Sequence, residues 1–139
     1  MCAVYRAPVS DVLRALIHRS AARCFAAFCD PRLLTVWVPG LRKTRAVLAD
    51  DAGRPREVLF EFGDRLVYSL VYTYDPVRRR VDWRPGVGRR DAVAGFAQFD
   101  EAGDDCEMSY QLLPSGEREV EARPLLDAFV RWIEAGPAR

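Results

Sequence analysis

The sequence has little of the chemistry that marks common enzyme families. Its 139 residues include one histidine, His18, and one lysine, Lys43. It contains no GxSxG, HExxH, P-loop or GxGxxG motif, and these motifs place a nucleophile, a metal ion or a phosphate in a defined geometry. Gly86 and Gly88 lack the third glycine and the following helix of a dinucleotide site, so they predict a turn.

Cysteine pairs with metal-binding spacing are also absent. No CxxC occurs among Cys2, Cys24, Cys29 and Cys106, and a single histidine cannot complete a Cys/His zinc set. Cys24 and Cys29 lie five residues apart, which on a helix places them nearer to opposite flanks than to one face. We therefore expect reduced thiols, no bound metal and no cofactor.

Long apolar runs and an excess of one charge are missing as well. No segment approaches the roughly 20 apolar residues of a membrane span, and the N-terminus does not resemble a signal peptide. The 21 basic and 20 acidic residues give a net charge of +1, which creates no field to attract nucleic acid or an anionic membrane. We expect a cytoplasmic protein without nucleic-acid partners or stable membrane insertion, either a monomer or a homodimer.

The sequence has no repeat, low-complexity tract or linker, which predicts one domain over residues 1–139. The alternation of apolar residues predicts a first strand at Val9–Ile17 and an antiparallel meander later in the chain. Ser20 is a predicted helix cap, and the following stripe of Ala22, Phe25 and Phe28 or Cys29 predicts a short helix that Pro31 ends. The meander is expected because no helix separates its predicted strands, which are Leu41–Leu48, Glu57–Phe62, Leu66–Tyr74, Arg80–Arg84, Asp91–Phe99 and Cys106–Leu113. Apolar residues at helical spacing from Ala122 to Ile133 predict a C-terminal helix, in which Pro124 either produces a kink or marks the first turn.

Turn lengths decide which aromatic residues face inward. A two-residue turn at Gly63-Asp64 would pair Phe60 with Val67, whereas a three-residue turn through Arg65 pairs Phe60 with Tyr68. We favour the second register, because it agrees with the inward position of Trp83, a residue flanked by charged neighbours.

Two further hairpin registers follow from the same reasoning. A four-residue loop at Asp75-Pro76-Val77-Arg78 places Tyr72 opposite Val81 and Leu70 opposite Trp83. In the last hairpin, Phe99 opposite Cys106 places Gly95 opposite Tyr110. Gly95 then either makes space for an aromatic ring or marks a bulge.

The segment Ser20–Leu41, SAARCFAAFCDPRLLTVWVPGL, resembles the opening of the helix-grip superfamily. This superfamily, SRPBCC, includes the START lipid-binding domains, the birch-pollen-type allergens and the polyketide cyclase/dehydrase-like proteins. The resemblance continues through Tyr74-Asp75-Pro76, Trp83 and the C-terminal helix. It implies an α+β helix-grip fold, in which a seven-stranded antiparallel sheet curves around a C-terminal helix and two short helices join strands 1 and 2.

The resemblance also implies an internal cavity that binds a hydrophobic small molecule such as a polyketide, a lipid or an aromatic metabolite. Inward rings and thioethers at such positions suit an apolar guest, and the candidate ligand-binding residues are Trp37, Phe60, Phe62, Trp83, Phe99, Met108, Tyr110 and Phe129. By analogy with the polyketide cyclase-like members, the candidate catalytic residues are Arg65, Tyr68 and Tyr72, with a tyrosine as proton donor and Arg65 near an enolate oxygen.

Three alternatives stay open at this point. The same rings can simply fill the core of a small domain, and Trp37 can belong to the core or line the ligand entrance. The protein can be a polyketide cyclase/dehydratase-like enzyme or a non-catalytic ligand carrier. It can also be a protein-interaction module, if Leu33, Leu34, Val36 and Trp37 form an exposed apolar patch.

Overall fold

The structure, a computed structural model, describes residues 12–63, 65–86, 93–113 and 122–137. Two short helices follow the first strand, six strands come next, and one longer helix ends the described chain. The elements in chain order are β1 (Leu13–Ile17), α1 (Ala21–Phe28), α2 (Pro31–Trp37), β2 (Leu41–Ala49), β3 (Pro55–Phe62), β4 (Val67–Asp75), β5 (Arg80–Pro85), β6 (Ala94–Ala102), β7 (Asp105–Leu113) and α3 (Ala122–Ala135). The predicted α+β helix-grip architecture is confirmed.

All seven strands form one antiparallel sheet in the order β1-β7-β6-β5-β4-β3-β2. Consecutive strands from β2 to β7 are neighbours, as a meander requires. The first strand, β1, pairs with the last strand, β7, and Leu13 lies opposite Tyr110 and Ile17 opposite Cys106. Helix α3 contacts β1 and β7, and α2 contacts β2, so the helices cover one face of the sheet.

The first short helix begins after Ser20, as predicted, and the second begins at Pro31. The Ser20 side chain accepts a hydrogen bond from the backbone N–H of Arg23, and the Asp30 side chain accepts one from that of Arg32. Pro31 occupies the first turn of α2, a position that needs no backbone N–H. The predicted apolar stripe of α1 was wrong by one residue at its start, because Ala21 is buried and Ala22 is exposed.

The predicted facing of the strands is correct, and the β3–β4 register is also correct. Phe60 lies opposite Tyr68, and the backbone N–H of Phe62 donates to Leu66 O at 2.8 Å, which makes the turn three residues long. Arg65 in this turn has a φ of 70°, the left-handed conformation that such a turn requires. Asp64 lies outside the described residues.

The other two predicted registers are each wrong by two residues. Tyr72 pairs with Trp83 rather than Val81, because the loop is Pro76–Arg79 and Arg79 adopts a φ of 51°. Phe99 pairs with Met108 rather than Cys106, because the last hairpin turns tightly at Gly103, where φ is 64°. A shift of two residues leaves every side chain on the same face of the sheet.

Some predictions fall outside the described residues. Positions 9–11 of the predicted first strand, positions 91–92 of the predicted sixth strand and the residues just before α3 are among them. Pro124 lies in the first turn of α3, which is the second of the two alternatives for this residue. In the part of the chain that the structure describes, no helix is both long and apolar enough to cross a membrane.

The C-terminal end of α3 is held by an arginine from another part of the chain. Its last turn contains no basic residue. Instead, Arg19, between β1 and α1, donates to Gly136 O at 2.9 Å, to Pro137 O at 3.1 Å and to Glu134 O. A cation at this position satisfies the carbonyls that a helix leaves unpaired and complements the helix dipole.

Replacing Arg19 with methionine therefore tests how α3 is anchored to the sheet. We expect Arg19→Met to lower the free energy of unfolding by about 1–2 kcal/mol, since two part-buried charged hydrogen bonds, to Glu134 O and Gly136 O, are lost. Arg14→Met is the matched control, because Arg14 is exposed and its ion pair with Glu107 is 3.9 Å long. Urea denaturation measures both variants, and equal losses would contradict the anchoring role.

Candidate functional site

A cavity of 460 Å³ lies between the inner face of the sheet and the helices. Its wall includes the end of α1, the α2 helix with the turn after it, β3, the β3–β4 hairpin, β4, β5, β7 and α3. The lining residues include Phe28, Leu34, Trp37, Phe60, Phe62, Leu66, Tyr68, Leu70, Tyr72, Trp83, Val93, Tyr110, Leu112 and Leu125. Apolar surface therefore dominates the cavity.

One end of the cavity is bounded by two turns that are joined to each other. Pro39 and Gly40 follow α2, and Gly63 begins the β3–β4 hairpin; all three line the cavity and are exposed. The backbone N–H of Gly63 donates to Gly40 O at 3.1 Å. This rim places the opening of the cavity between α2 and the hairpin.

The deep wall is a row of aromatic rings across three elements. Trp83 lies 6.3 Å from Tyr72 on β4 and 5.8 Å from Tyr110 on β7, measured between ring centroids. Phe28 from α1 packs on Trp83 at 5.7 Å and on Trp37 at 5.5 Å. Such offset and tilted ring contacts fix the shape of the wall.

A glycine makes the position of Trp83 possible. Gly95 pairs with Trp83 across β5 and β6, and a Cβ added at Gly95 would lie 2.8 Å from the indole ring and 2.3 Å from Gln111 O. The predicted role of Gly95 in making space for a ring is therefore correct, but the ring is Trp83 and not Tyr110, which pairs with Ala97.

Ionisable acids and bases with pKa values near neutrality are absent from the described lining. Its polar side-chain groups are the hydroxyls of Tyr68, Tyr72 and Tyr110 and the indole nitrogens of Trp37 and Trp83. Burial, assisted by the nearby phenols of Tyr74 and Tyr68, raises the pKa of Tyr72 well above its usual value. Burial also raises the pKa of Tyr110, so both phenols stay protonated at neutral pH and are suited to hydrogen bonding.

The structure brings together most of the residues that the sequence singled out, but not all. Phe99, Met108 and Phe129 are fully buried yet are not among the lining residues. They fill the core behind Phe28, whose ring lies 5.6 Å from Phe99 and 5.3 Å from Phe129. Arg65 is exposed at the hairpin tip and is not part of the lining either, although its neighbour Leu66 is.

Several lining residues were not identified from the sequence. Phe28 had been placed on the apolar stripe of α1, which was a usable signal, and Leu112 shares a face of β7 with Tyr110. Leu34 lay in the suggested surface patch. That patch is not a continuous exposed surface, because Leu34 and Trp37 are buried, although Val36 is 61% exposed.

The described residues contain no cluster of three or more His, Cys, Asp or Glu side chains that could hold a metal ion. Cys24, Cys29 and Cys106 are free thiols. The chemistry of the cavity therefore rests on apolar surface and a few neutral hydrogen-bonding groups.

The fold is similar to that of several solved structures. A START superfamily protein from Mycobacterium smegmatis matches with a TM-score of 0.75 and 14% identity, over 92% of this chain and 96% of that chain. The aromatase/cyclase Zhui from a Streptomyces species matches with a TM-score of 0.63 and 12% identity, over 91% of this chain and 86% of that chain.

A third similar structure is the di-domain aromatase/cyclase StfQ of steffimycin biosynthesis, with a TM-score of 0.69 and 15% identity. It is matched over 88% of this chain and 44% of its own length. No model of a protein family and no curated protein matches the sequence. The expected helix-grip resemblance is thus confirmed as a fold, and a fold alone does not define an activity.

Substitution of Gly95 tests the packing that forms the deep wall. We expect Gly95→Ala to lower the free energy of unfolding by about 1–3 kcal/mol, because the methyl group would displace Trp83 and strain β6. Gly63→Ala is the control, since a Cβ there would meet only Gly40 O, at 3.9 Å. Chemical denaturation measures both variants, and a Gly95→Ala protein as stable as the wild type would show that Trp83 does not need this space.

Proposed function

We propose that the protein binds a hydrophobic small molecule, most simply an aromatic or polycyclic metabolite, in the cavity beneath α2. The observation that carries the proposal is a 460 Å³ cavity whose described lining has six aromatic side chains from the sheet and no carboxylate or basic group. Its volume lies within the range of small-molecule pockets. Polyketides and lipids are the other hydrophobic ligands that this proposal includes.

The lining argues for binding rather than for mere core packing. Phe99, Phe129 and Met108 already form a fully buried core at one end of the sheet. The rings of Tyr72, Trp83 and Tyr110 instead border open space, where apolar area and a few hydroxyls give affinity and orientation. The distribution of rings on the two sides of Phe28 supports a separate binding compartment.

Native mass spectrometry of protein purified from its source tests this proposal directly. A hydrophobic molecule that co-purifies, or a thermal shift with members of a panel of lipids, quinones and aromatic polyketides, is the expected result. If no ligand co-purifies and no panel member shifts the melting temperature, the binding proposal fails and a protein-interaction role gains support.

Replacing Trp83 locates the binding site. We expect Trp83→Ala to weaken the binding of a panel ligand strongly and to lower stability by about 3–5 kcal/mol, because the ring both borders the cavity and packs against its neighbours. Phe96→Ala is the control, since Phe96 faces the opposite side of the sheet, where Arg80 lies 4.0 Å from its ring centroid. A Trp83→Ala protein that keeps full affinity would show that Trp83 belongs only to the core.

A second candidate function is cyclisation or dehydration of a poly-ketone chain. The similarity in fold to two aromatase/cyclases and the protonated Tyr72 phenol in the cavity favour it. In this proposal Tyr68 and Tyr72 donate protons or hydrogen bonds to substrate carbonyls, and Arg65 reaches the rim from the hairpin to stabilise an enolate oxygen. No metal and no cofactor takes part.

Turnover of a cyclisable poly-ketone separates an enzyme from a carrier. The Arg65→Ala and Tyr72→Phe double variant is expected to lose at least about tenfold in kcat if these groups act on the substrate. Tyr74→Phe is the control, because the Tyr74 hydroxyl donates to Pro55 O at 2.6 Å and is not part of the lining. Unchanged turnover in the double variant would remove these residues from the mechanism, and no turnover in the wild type would favour a carrier.

A further inference from the structure

The cavity ends at a similar depth on three strands of the sheet. Its innermost lining residues on β4, β5 and β7 are Tyr72, Trp83 and Tyr110. The next side chains that face inward on these strands, away from the opening, are not among the lining residues; they are Tyr74, Val81 and Met108. The lined part of β4, from Tyr68 to Tyr72, is about 13 Å of strand. The cavity is therefore closed at this depth.

Phe28 lies at the closed end, on the helix side of the cavity. It is the last residue of α1 and a lining residue. Its ring centroid is 5.7 Å from that of Trp83 and 6.2 Å from that of Tyr110, and both of these rings line the cavity. The same ring is 5.6 Å from Phe99 and 5.3 Å from Phe129, which belong to the core. Phe28 is 7% exposed and the two core rings are 0% exposed, so Phe28 forms the boundary between open space and core.

Trp37 also touches the core, but at one ring only. Its centroid is 5.0 Å from that of Phe129, whereas Phe28 contacts both Phe99 and Phe129. A ring removed from a packed interior leaves a void, because the surroundings relax only in part. A void at Phe28 would open into the cavity, whereas a void at Phe99 would stay behind the Phe28 ring.

We propose that Phe28 is a specificity-determining residue that closes the deep end of the cavity and sets the maximum length of the buried guest. This inference rests on the proposed binding function and narrows the class of guest. A compact ring system fits within the closed length. The distal part of a long-chain lipid stays in water, where its methylene groups add no affinity. The volume of 460 Å³ agrees, since it lies in the lower half of the range for small-molecule pockets.

Probes that differ only in length test this proposal. The 6-acyl-2-dimethylaminonaphthalenes with straight acyl chains of two to twelve carbon atoms are uncharged, and their fluorescence changes on transfer from water to an apolar site. In the wild type, each further buried methylene group should raise the affinity about fourfold. This rise should stop at a limiting chain length, before the twelve-carbon member, when the buried part of the probe reaches Phe28.

Substitutions at Phe28 should move this limiting length. Phe28→Ala is expected to move it by about three carbon atoms, because the void left by the ring is continuous with the cavity. Phe28→Leu keeps more of the apolar packing, so it tests the inference even if Phe28→Ala does not fold, and should move the limit by about one carbon atom. Phe99→Ala is the matched control: it removes the same kind of ring from the core and should leave the limit unchanged.

Three results would overturn the inference and leave the binding proposal intact. They are an affinity that rises through the twelve-carbon member in the wild type, a limit that no folded Phe28 variant moves, and a limit that Phe99→Ala moves as far as the Phe28 variants do. If no probe binds the wild type, the inference also fails. The panel of lipids, quinones and aromatic polyketides then decides separately whether the binding proposal stands.

Isotope-filtered NMR shows where the additional length is accommodated. In the wild-type complex, probe protons should contact Phe28 but not Phe99. In a folded Phe28 variant, the longest fully buried probe should gain contacts with Phe99 or Phe129, because the space vacated by the ring adjoins them. A longer limit without these contacts would mean that the probe extends in another direction, which contradicts a closing role for Phe28.

Discussion

The contact between the Trp83 indole and the bare backbone at Gly95 determines how the inner face of the sheet is arranged. A side chain larger than hydrogen at position 95 would collide with the indole and with a carbonyl of β7. With that space available, Trp83 lies close to the sheet between Tyr72 and Tyr110. The rings of Tyr72, Trp83 and Tyr110 therefore lie close to the sheet, and Phe28 from α1 packs on Trp83.

Phe28 then divides the interior into two parts. On one side, Phe99, Phe129 and Met108 exclude solvent completely and hold α3 on the sheet. On the other side, α2 and the β3–β4 hairpin stand away from the aromatic row and leave a cavity of 460 Å³. A small domain can keep such a cavity because the packed half provides a separate source of stability, and large core rings contribute most to it.

Much of this arrangement could be predicted from the sequence, because the side-chain alternation of strands is a local property. The charged residues on both sides of Val81 and Trp83 indicated that these two side chains of β5 point inward. The order of the elements indicated the fold. Two hairpin registers were missed by two residues because the signals in their turns are weak. Arg79 adopts a positive φ that is not expected for an arginine, and the last hairpin turns one residue later than predicted, with Gly103 in its turn.

The division between core and cavity could not be predicted in the same way. Phe99 and Trp83 both face inward, and only their depth along the strands and the position of Phe28 decide which of them borders open space. Arg65 was placed correctly in its turn, but the direction of an exposed side chain at a hairpin tip is not encoded in strand periodicity. Trp37 belongs to both of its predicted categories, since it is buried in the core and also forms part of the wall.

The most direct test of this division is an isotope-filtered NMR experiment on the protein with a bound member of the panel of lipids, quinones and aromatic polyketides. The account predicts intermolecular contacts from the ligand to protons of Trp83, Tyr72 and Trp37, with none to Phe99 or Met108. Contacts with Phe96 on the outer face of the sheet, or with Phe99 in the packed half, would contradict it.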